Sequence, residues 1–319
     1  MKKKISKLLI PFKFLYTFCI YKYCSCKYRK VDYFEYKKLA ESKFVVTYPF
    51  FSTSIYGNYK AIAQLKGKPF NFATEYLEHG LEYSSDLQRV EYLGYPNRAF
   101  IKRIYTFGDK RKQVVEKYLE SKGLKRDVIA IGPYIKGAAF FKSQDELLKL
   151  REKYGKILLA FPQHYSVEYA NAKSIAEDEF TKEIERISAD FDKVFICIYF
   201  SDINEKLVQQ YEAKGFQVVT AGNRIDPSFL SRLKDLIFLS SCAISDGTGT
   251  QIGYSVCMDR PHYFYKRKNA SQWVAGKVIK KDDAFYEAER KMALQFGEYP
   301  SQITAEQIEL VQEYWGKWK

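Results

Sequence analysis

From residue 157 onward, short runs that are apolar at nearly every position alternate with amphipathic stretches. The runs at 157–161, 194–199, 216–220, 242–244 and 262–264 show little alternation between apolar and polar residues, the pattern of strands covered on both faces in a parallel sheet. Between them, 176–190 places Phe180, Ile184 and Ile187 on one helical face. The helix predicted over 204–214 stops at Gly215, where a C′ glycine is favoured. Helices over 227–236 and 249–258 complete the series. Five strands joined by crossover helices predict a doubly wound, Rossmann-like domain.

The first half repeats the rhythm less cleanly. Strands are expected at 44–48, 71–74, 100–105 and 128–131, with a loop over 50–58 and a helix over 110–122. The strand pattern gives way near 136–150, where Ser143-Gln144-Asp145-Glu146 opens a helix-like run. The predicted organisation is therefore α/β, with two Rossmann-like domains facing across a cleft: an arm (1–32), an N-terminal domain (33–148), a C-terminal domain (149–300) and a terminal helix (301–319). That last helix begins at Thr304 with Gln307 placed for a capping box, and Ile308, Leu310, Val311 and Tyr314 form its apolar face. Trp315, Lys317, Trp318 and Lys319 suit either a membrane interface or packing against the N-terminal domain.

Composition narrows the partners. At 319 residues and 46% hydrophobic content the chain has material for two cores. Its net charge is +14, but nine Lys and Arg residues precede the first acidic residue, Asp32, leaving +5 for everything after them. A pI of 9.2 and 27 Tyr residues raise the reading of a nucleic-acid-binding protein. The concentration of charge in the arm and the lack of a known RNA or DNA module argue against it, so no nucleic-acid partner is expected. The arm interleaves cations with Ile5, Leu8, Leu9, Ile10, Phe12, Phe14, Leu15, Tyr16, Phe18 and Ile20. Pro11 and Lys13 interrupt its apolar run and no small-residue cleavage site follows, which argues against a spanning helix or a cleaved signal peptide. Two uses remain for it, lying on an anionic membrane surface or packing on the protein itself. The six cysteines form no pair of C-x-x-C motifs, which fits a reduced, cytoplasmic protein without a zinc site.

Candidate chemistry gathers after strand-like segments. Ile244-Ser245-Asp246-Gly247-Thr248-Gly249-Thr250 leads from a strand through glycine and hydroxyl residues into a helix, setting unpaired backbone N–H groups and a positive dipole end where a phosphate can dock. The same pattern also serves as a plain strand-to-helix turn. His79, in Glu78-His79-Gly80, and His164, in Phe161-Pro162-Gln163-His164, both follow such segments and would open onto the cleft. An imidazole near neutral pKa can take a proton from a hydroxyl or neutralise a leaving phosphate, and His79, assisted by Glu78, is the candidate base. His262, after Pro261, reads as structural. Arg224 is a candidate partner for a phosphate or carboxylate, while Asp226 before Pro227 reads as a helix N-cap. Asp190-Phe191-Asp192 precedes a strand, the wrong edge for a metal-binding D-x-D, and reads as a helix-to-strand turn.

The residues from Gly222 to Asp226, Phe229 to Leu233, Ser240, Ile244 to Asp246, Gly249-Thr250, Ile252 to Tyr254 and Pro261-His262 resemble the donor-binding half of GT-B glycosyltransferases of bacterial surface polysaccharide (capsule or lipopolysaccharide) biosynthesis. They are more distantly similar to polymerases that use CDP-glycerol. The resemblance covers 157–265 well, 44–135 thinly and the arm not at all. It implies that Ser245, Asp246, Thr248, Gly249 and Thr250 grip the donor's phosphates and that no metal cofactor is used; the contact of His164 with the donor is read from its place after the strand alone. The base motif of those enzymes, Trp-His-Gly or Gln-His-Gly, is met only by Glu78-His79-Gly80. The implied activity moves a sugar from a nucleotide-sugar donor to a surface-polysaccharide or lipid-linked glycan acceptor at the inner face of the cell membrane. A nucleotide-sugar epimerase on the same architecture is the alternative within the class, although it usually places several carboxylates at the cleft.

Overall fold

The computed structural model describes residues 19, 22–41, 53, 55–90, 99–163, 178–267, 273–274, 277–278, 282–299 and 302–318. Helix α1 (Tyr36–Ala40) and helix α2 (Asn58–Leu65) precede the first sheet. That sheet is parallel, in the order β1 (Glu75–Leu77), β2 (Arg103–Thr106), β3 (Asp127–Ala130), with α3 (Asp109–Ser121) crossing from β2 to β3. After α4 (Gln144–Tyr154), the second sheet is laid down as β4 (Ile157–Phe161), α5 (Glu179–Ser188), β5 (Lys193–Cys197), α6 (Glu205–Ala213), β6 (Gln217–Val219), α7 (Phe229–Leu239), β7 (Cys242–Ser245), α8 (Thr250–Cys257) and β8 (His262–Phe264). All its strands are parallel in the spatial order β6-β5-β4-β7-β8, so the chain starts in the middle and reverses direction between β4 and β7. Helices α9 (Asp283–Phe296) and α10 (Ala305–Trp315) follow. The α/β class with two parallel sheets is the one the apolar runs predict.

Period-two alternation accounts for how the sheets are covered. In β4, Ile157 and Leu159 join the central core shared by both sheets, whereas Leu158 and Ala160 face the outer layer with Phe180, Ile184 and Ile187 of α5. In β1 and β2, Leu77 and Tyr105 join the central core while Tyr76 and Ile104 pack with Val115, Tyr118 and Leu119 of α3.

Several boundaries differ from the sequence expectation for local reasons. The strand expected at 71–74 starts instead at Glu75, because the Asn71 carbonyl accepts from Thr74 N and the Asn71 side chain accepts from Ala73 N at 3.0 Å, closing a turn first. Helix α7 begins at Phe229 rather than 227, after Asp226 takes the Ser228 N–H at 2.9 Å and holds that segment as a turn. The strand expected at 44–48 lies outside the described residues, and α2 was not foreseen. Both capping boxes form: Ser143 with Glu146, and Thr304 with Gln307.

The segment around residue 32 is hydrogen-bonded to elements of the second sheet. The side chain of Arg232 on α7 donates to the carbonyls of Tyr28 (2.5 Å) and Val31 (2.9 Å), and Thr220 N donates to Tyr33 O. At the other end of the chain, α10 packs against α8 and α3. Trp315 is fully buried there and donates from Nε1 to the Thr250 carbonyl at 3.2 Å, so this tryptophan is a packing residue. Among the described residues no helix is long and apolar enough to cross a membrane.

Candidate active site

Reversal of strand order between β4 and β7 leaves a crevice at the carboxyl ends of those strands, the place where ligands bind in open α/β sheets. Here the crevice is the floor of a cleft of about 560 Å³. Phe161 enters it at the end of β4, Pro162 and Gln163 after it, Ile198 and Tyr199 after β5, Thr220 and Ala221 after β6, and Asp246 to Gln251 after β7. The opposite wall comes from Tyr56, Asn58, His79 and Arg89, and α9 adds Phe285, Tyr286 and Glu289.

The loop after β7 carries the electrostatics. Gly249 is the N-cap of α8 and contributes no side-chain cap, so the first-turn N–H groups face the cleft with the helix dipole behind them. Asp246 accepts Gln163 N at 2.6 Å and Arg267 Nε at 2.5 Å, and Arg267 is paired in turn with Asp178. Gln251 folds back and donates from Nε2 to the Gly247 carbonyl at 2.9 Å, bracing the turn. Thr248, Gly249 and Thr250 line the cleft, as does Lys266. Charge at this end therefore consists of a helix N-terminus and two cations, one of them already tied to carboxylates.

Ser245 occupies a different position from Asp246. It is the last residue of β7, fully buried, with Oγ 2.9 Å from His262 Nε2 and donating to the Gly247 carbonyl. His262 Nδ1 lies 3.2 Å from Ser255 Oγ, whose hydroxyl donates to Gln251 O. The imidazole thus sits between two serines that grip the two ends of the 245–251 loop. Burial pushes its pKa down to about 3.

On the facing wall, His79 follows β1 and its ring centroid lies 6.2 Å from that of Tyr56. Its loop is held from two sides: Asn58 Nδ2 donates to His79 O at 2.8 Å, and Tyr134 Oη donates to Glu78 O at 3.0 Å. The Glu78 carboxylate is only 1% exposed and is bound by Arg111 Nε and Nη2 (2.9 and 2.5 Å) and by Thr106 Oγ1 (2.7 Å). That buried ion pair fixes the loop after β1 on α3, so Glu78 sets where His79 stands. His164, the residue after Gln163, lies outside the described residues.

Arg224 is half-buried and does not line the cleft; its carbonyl accepts Tyr56 N at 2.6 Å. Asp226 is fully buried in an ion pair with Arg232 Nη1 at 2.6 Å, which goes beyond the expected helix cap. In Asp190-Phe191-Asp192, Asp192 accepts Lys156 N at 2.7 Å at the amino end of β5, opposite the cleft, so the motif is a helix-to-strand turn. Sequence reasoning missed Tyr56, Asn58, Tyr199, Gln251, Lys266 and Arg267. Only the basic pair offered a signal, cations directly after a strand of the same sheet as β7.

No protein-family model matches the chain, and no curated protein matches it in sequence. Among solved structures, the wall teichoic acid polymerase TagF is similar at 14% identity and a TM-score of 0.37, over 67% of this chain and 48% of that one. Medicago truncatula UGT71G1 complexed with UDP-glucose is similar at 13% identity and a TM-score of 0.31, over 70% and 48%. The chain spans about half the length of these structures.

Proposed function

We propose that the cleft binds a nucleotide-activated sugar and transfers the sugar to a hydroxyl of a surface-polysaccharide or lipid-linked glycan. The observation that carries this is the pairing of an uncapped helix N-terminus and Lys266 at the switch point of the second sheet with His79 on the facing wall of the same cleft. In this reading His79 takes the proton of the acceptor hydroxyl as its oxygen bonds to the sugar's anomeric carbon. The bond from that carbon to the phosphate oxygen breaks, and the nucleotide leaves with the electron pair. The α8 N-terminus, Lys266 and Arg267 meet the charge on the departing phosphate, the task a metal ion performs elsewhere.

The arm fits a membrane-facing role in this scheme. Over the helical residues 22–28, Cys24 and Tyr28 are buried against the protein, whereas Lys22, Lys27, Arg29 and Lys30 are exposed. Those cations would rest on an anionic surface at the inner face of the membrane, bringing a lipid-linked acceptor to the cleft.

The test is nucleotide release from CMP-, CDP-, UDP- and GDP-sugars, with CDP-glycerol as a further arm. One sugar nucleotide is expected to be consumed, and His79→Gln to slow its use by about 10²-fold or more while its binding persists. Consumption of CDP-glycerol alone would replace the sugar with glycerophosphate, and no consumption of any would overturn the proposal.

A further inference from the structure

The wall nearest His79 holds an acceptor without a match. Asn58 is 1% exposed, opens α2 and lines the cleft. Its Nδ2 donates to the His79 carbonyl, which fixes which end of the amide is oxygen. That oxygen, Oδ1, is buried and has no donor among the described residues. Buried acceptors in native proteins are nearly always satisfied, because leaving one bare carries the full cost of stripping its water.

The backbone around Asn58 is held against its own preference. Tyr56 adopts a left-handed φ of 62°, unusual for a residue with a side chain, with its ring centroid 4.4 Å from that of Phe229. Gly57 follows at φ 70°, and a Cβ there would overlap the Pro227 carbonyl. Contacts with the 224–229 segment thus press residues 56 and 57 into one conformation and set Asn58 at the cleft wall. The group that satisfies this oxygen must donate a hydrogen bond. A hydroxyl does so; a phosphate or a carboxylate, which only accepts, does not.

We infer that Asn58 Oδ1 receives the reacting or neighbouring hydroxyl of the acceptor sugar, an assignment that rests on the glycosyl-transfer reading of this cleft. Asn58 thereby selects a hydroxyl-bearing acceptor and, through its other end, holds the His79 loop beside that hydroxyl. The two tasks use opposite ends of one amide.

Steady-state kinetics with the consumed nucleotide sugar and the methyl glycosides of glucose, galactose and N-acetylglucosamine test this. Asn58→Ala is expected to raise KM for the best methyl glycoside about tenfold or more, with nucleotide-induced thermal stabilisation unaltered. Asn58→Asp gives the second readout. When protonated, the new carboxyl donates to the His79 carbonyl and keeps one bare acceptor oxygen; when ionised, it loses the donor. The acceptor KM of that variant is expected to stay near wild type at about pH 5 and to rise at about pH 8, whereas the wild-type KM changes little. An unchanged KM in Asn58→Ala, or a flat pH profile in Asn58→Asp, overturns the assignment. Absence of nucleotide-sugar turnover by the unsubstituted chain overturns the underlying reading and this inference with it, and is seen before any variant is made.

Discussion

The Asp246 carboxylate accepts the backbone N–H of Gln163 at 2.6 Å, joining the loop after β7 to the loop after β4 across the point where the second sheet reverses its strand order. Its other oxygen takes Arg267 Nε at 2.5 Å. Asp246 therefore shapes the cleft floor instead of presenting a free charge to a ligand. Asp246→Ala strips a buried partner from Arg267 and is expected to cost about 3 kcal/mol of stability. Asp246→Asn keeps an acceptor for Gln163 and should lose less. Urea unfolding of the two variants checks the ranking.

Thr248 and Thr250 line the cleft at the start of α8 and are only half-buried, so a larger side chain there meets the cleft before it meets the core. Thr248→Leu and Thr250→Leu should abolish nucleotide-induced thermal stabilisation while the unliganded melting temperature stays within about 0.5 kcal/mol equivalent of wild type. Retained nucleotide stabilisation would remove both residues from the binding site.

Gly253 lies under the Trp315 ring, and a Cβ at that position would overlap its indole carbons. Gly253→Ala should destabilise the chain by about 1–3 kcal/mol through overpacking of α8 against α10. Trp315→Leu in the same chain should recover part of that loss, a coupling that a double-mutant cycle reads directly.

Two buried groups set opposing pH dependences. Asp235 accepts Phe141 N at 2.9 Å and Lys142 N at 3.0 Å, and burial raises its pKa from 3.8 to about 7. Between those values the folded chain holds a proton that the unfolded chain has released, so this group's stabilisation is lost as pH rises from about 4 to 7. His262 shifts the other way, from 6.5 to about 3. Between those values the unfolded chain gains a proton that the folded chain refuses, so stability is lost as pH falls from about 6.5 to 3. Asp235→Asn should leave a melting temperature that falls more steeply on acidification than in wild type, and His262→Asn one that falls less. Identical pH profiles in all three proteins would contradict both assignments.

Much of the second sheet was legible because its strands are apolar on both faces and its helices carry clear stop signals, Gly215 among them. Side-chain direction was less so. Ser245 and Asp246 are adjacent, yet the first turns toward His262 and the second toward Gln163, a distinction set by the pleat at the end of β7. Glu78 finds Arg111, and Asp226 finds Arg232, through contacts that follow only from packing β1 on α3 and the 226 turn on α7. Residues 56 to 58 reached the cleft through a left-handed bend that no glycine at 56 announces. Cleft walls built by distant segments leave little periodic trace, whereas buried strands leave a strong one.

The structure of the complex with the nucleotide sugar that stabilises the chain most is the most direct measurement. Its phosphates are expected against the first-turn N–H groups of α8 and within reach of Lys266, with the anomeric carbon turned toward His79 and Asn58. Phosphates bound anywhere else, or a sugar facing away from His79, would contradict a transfer site formed between the two sheets.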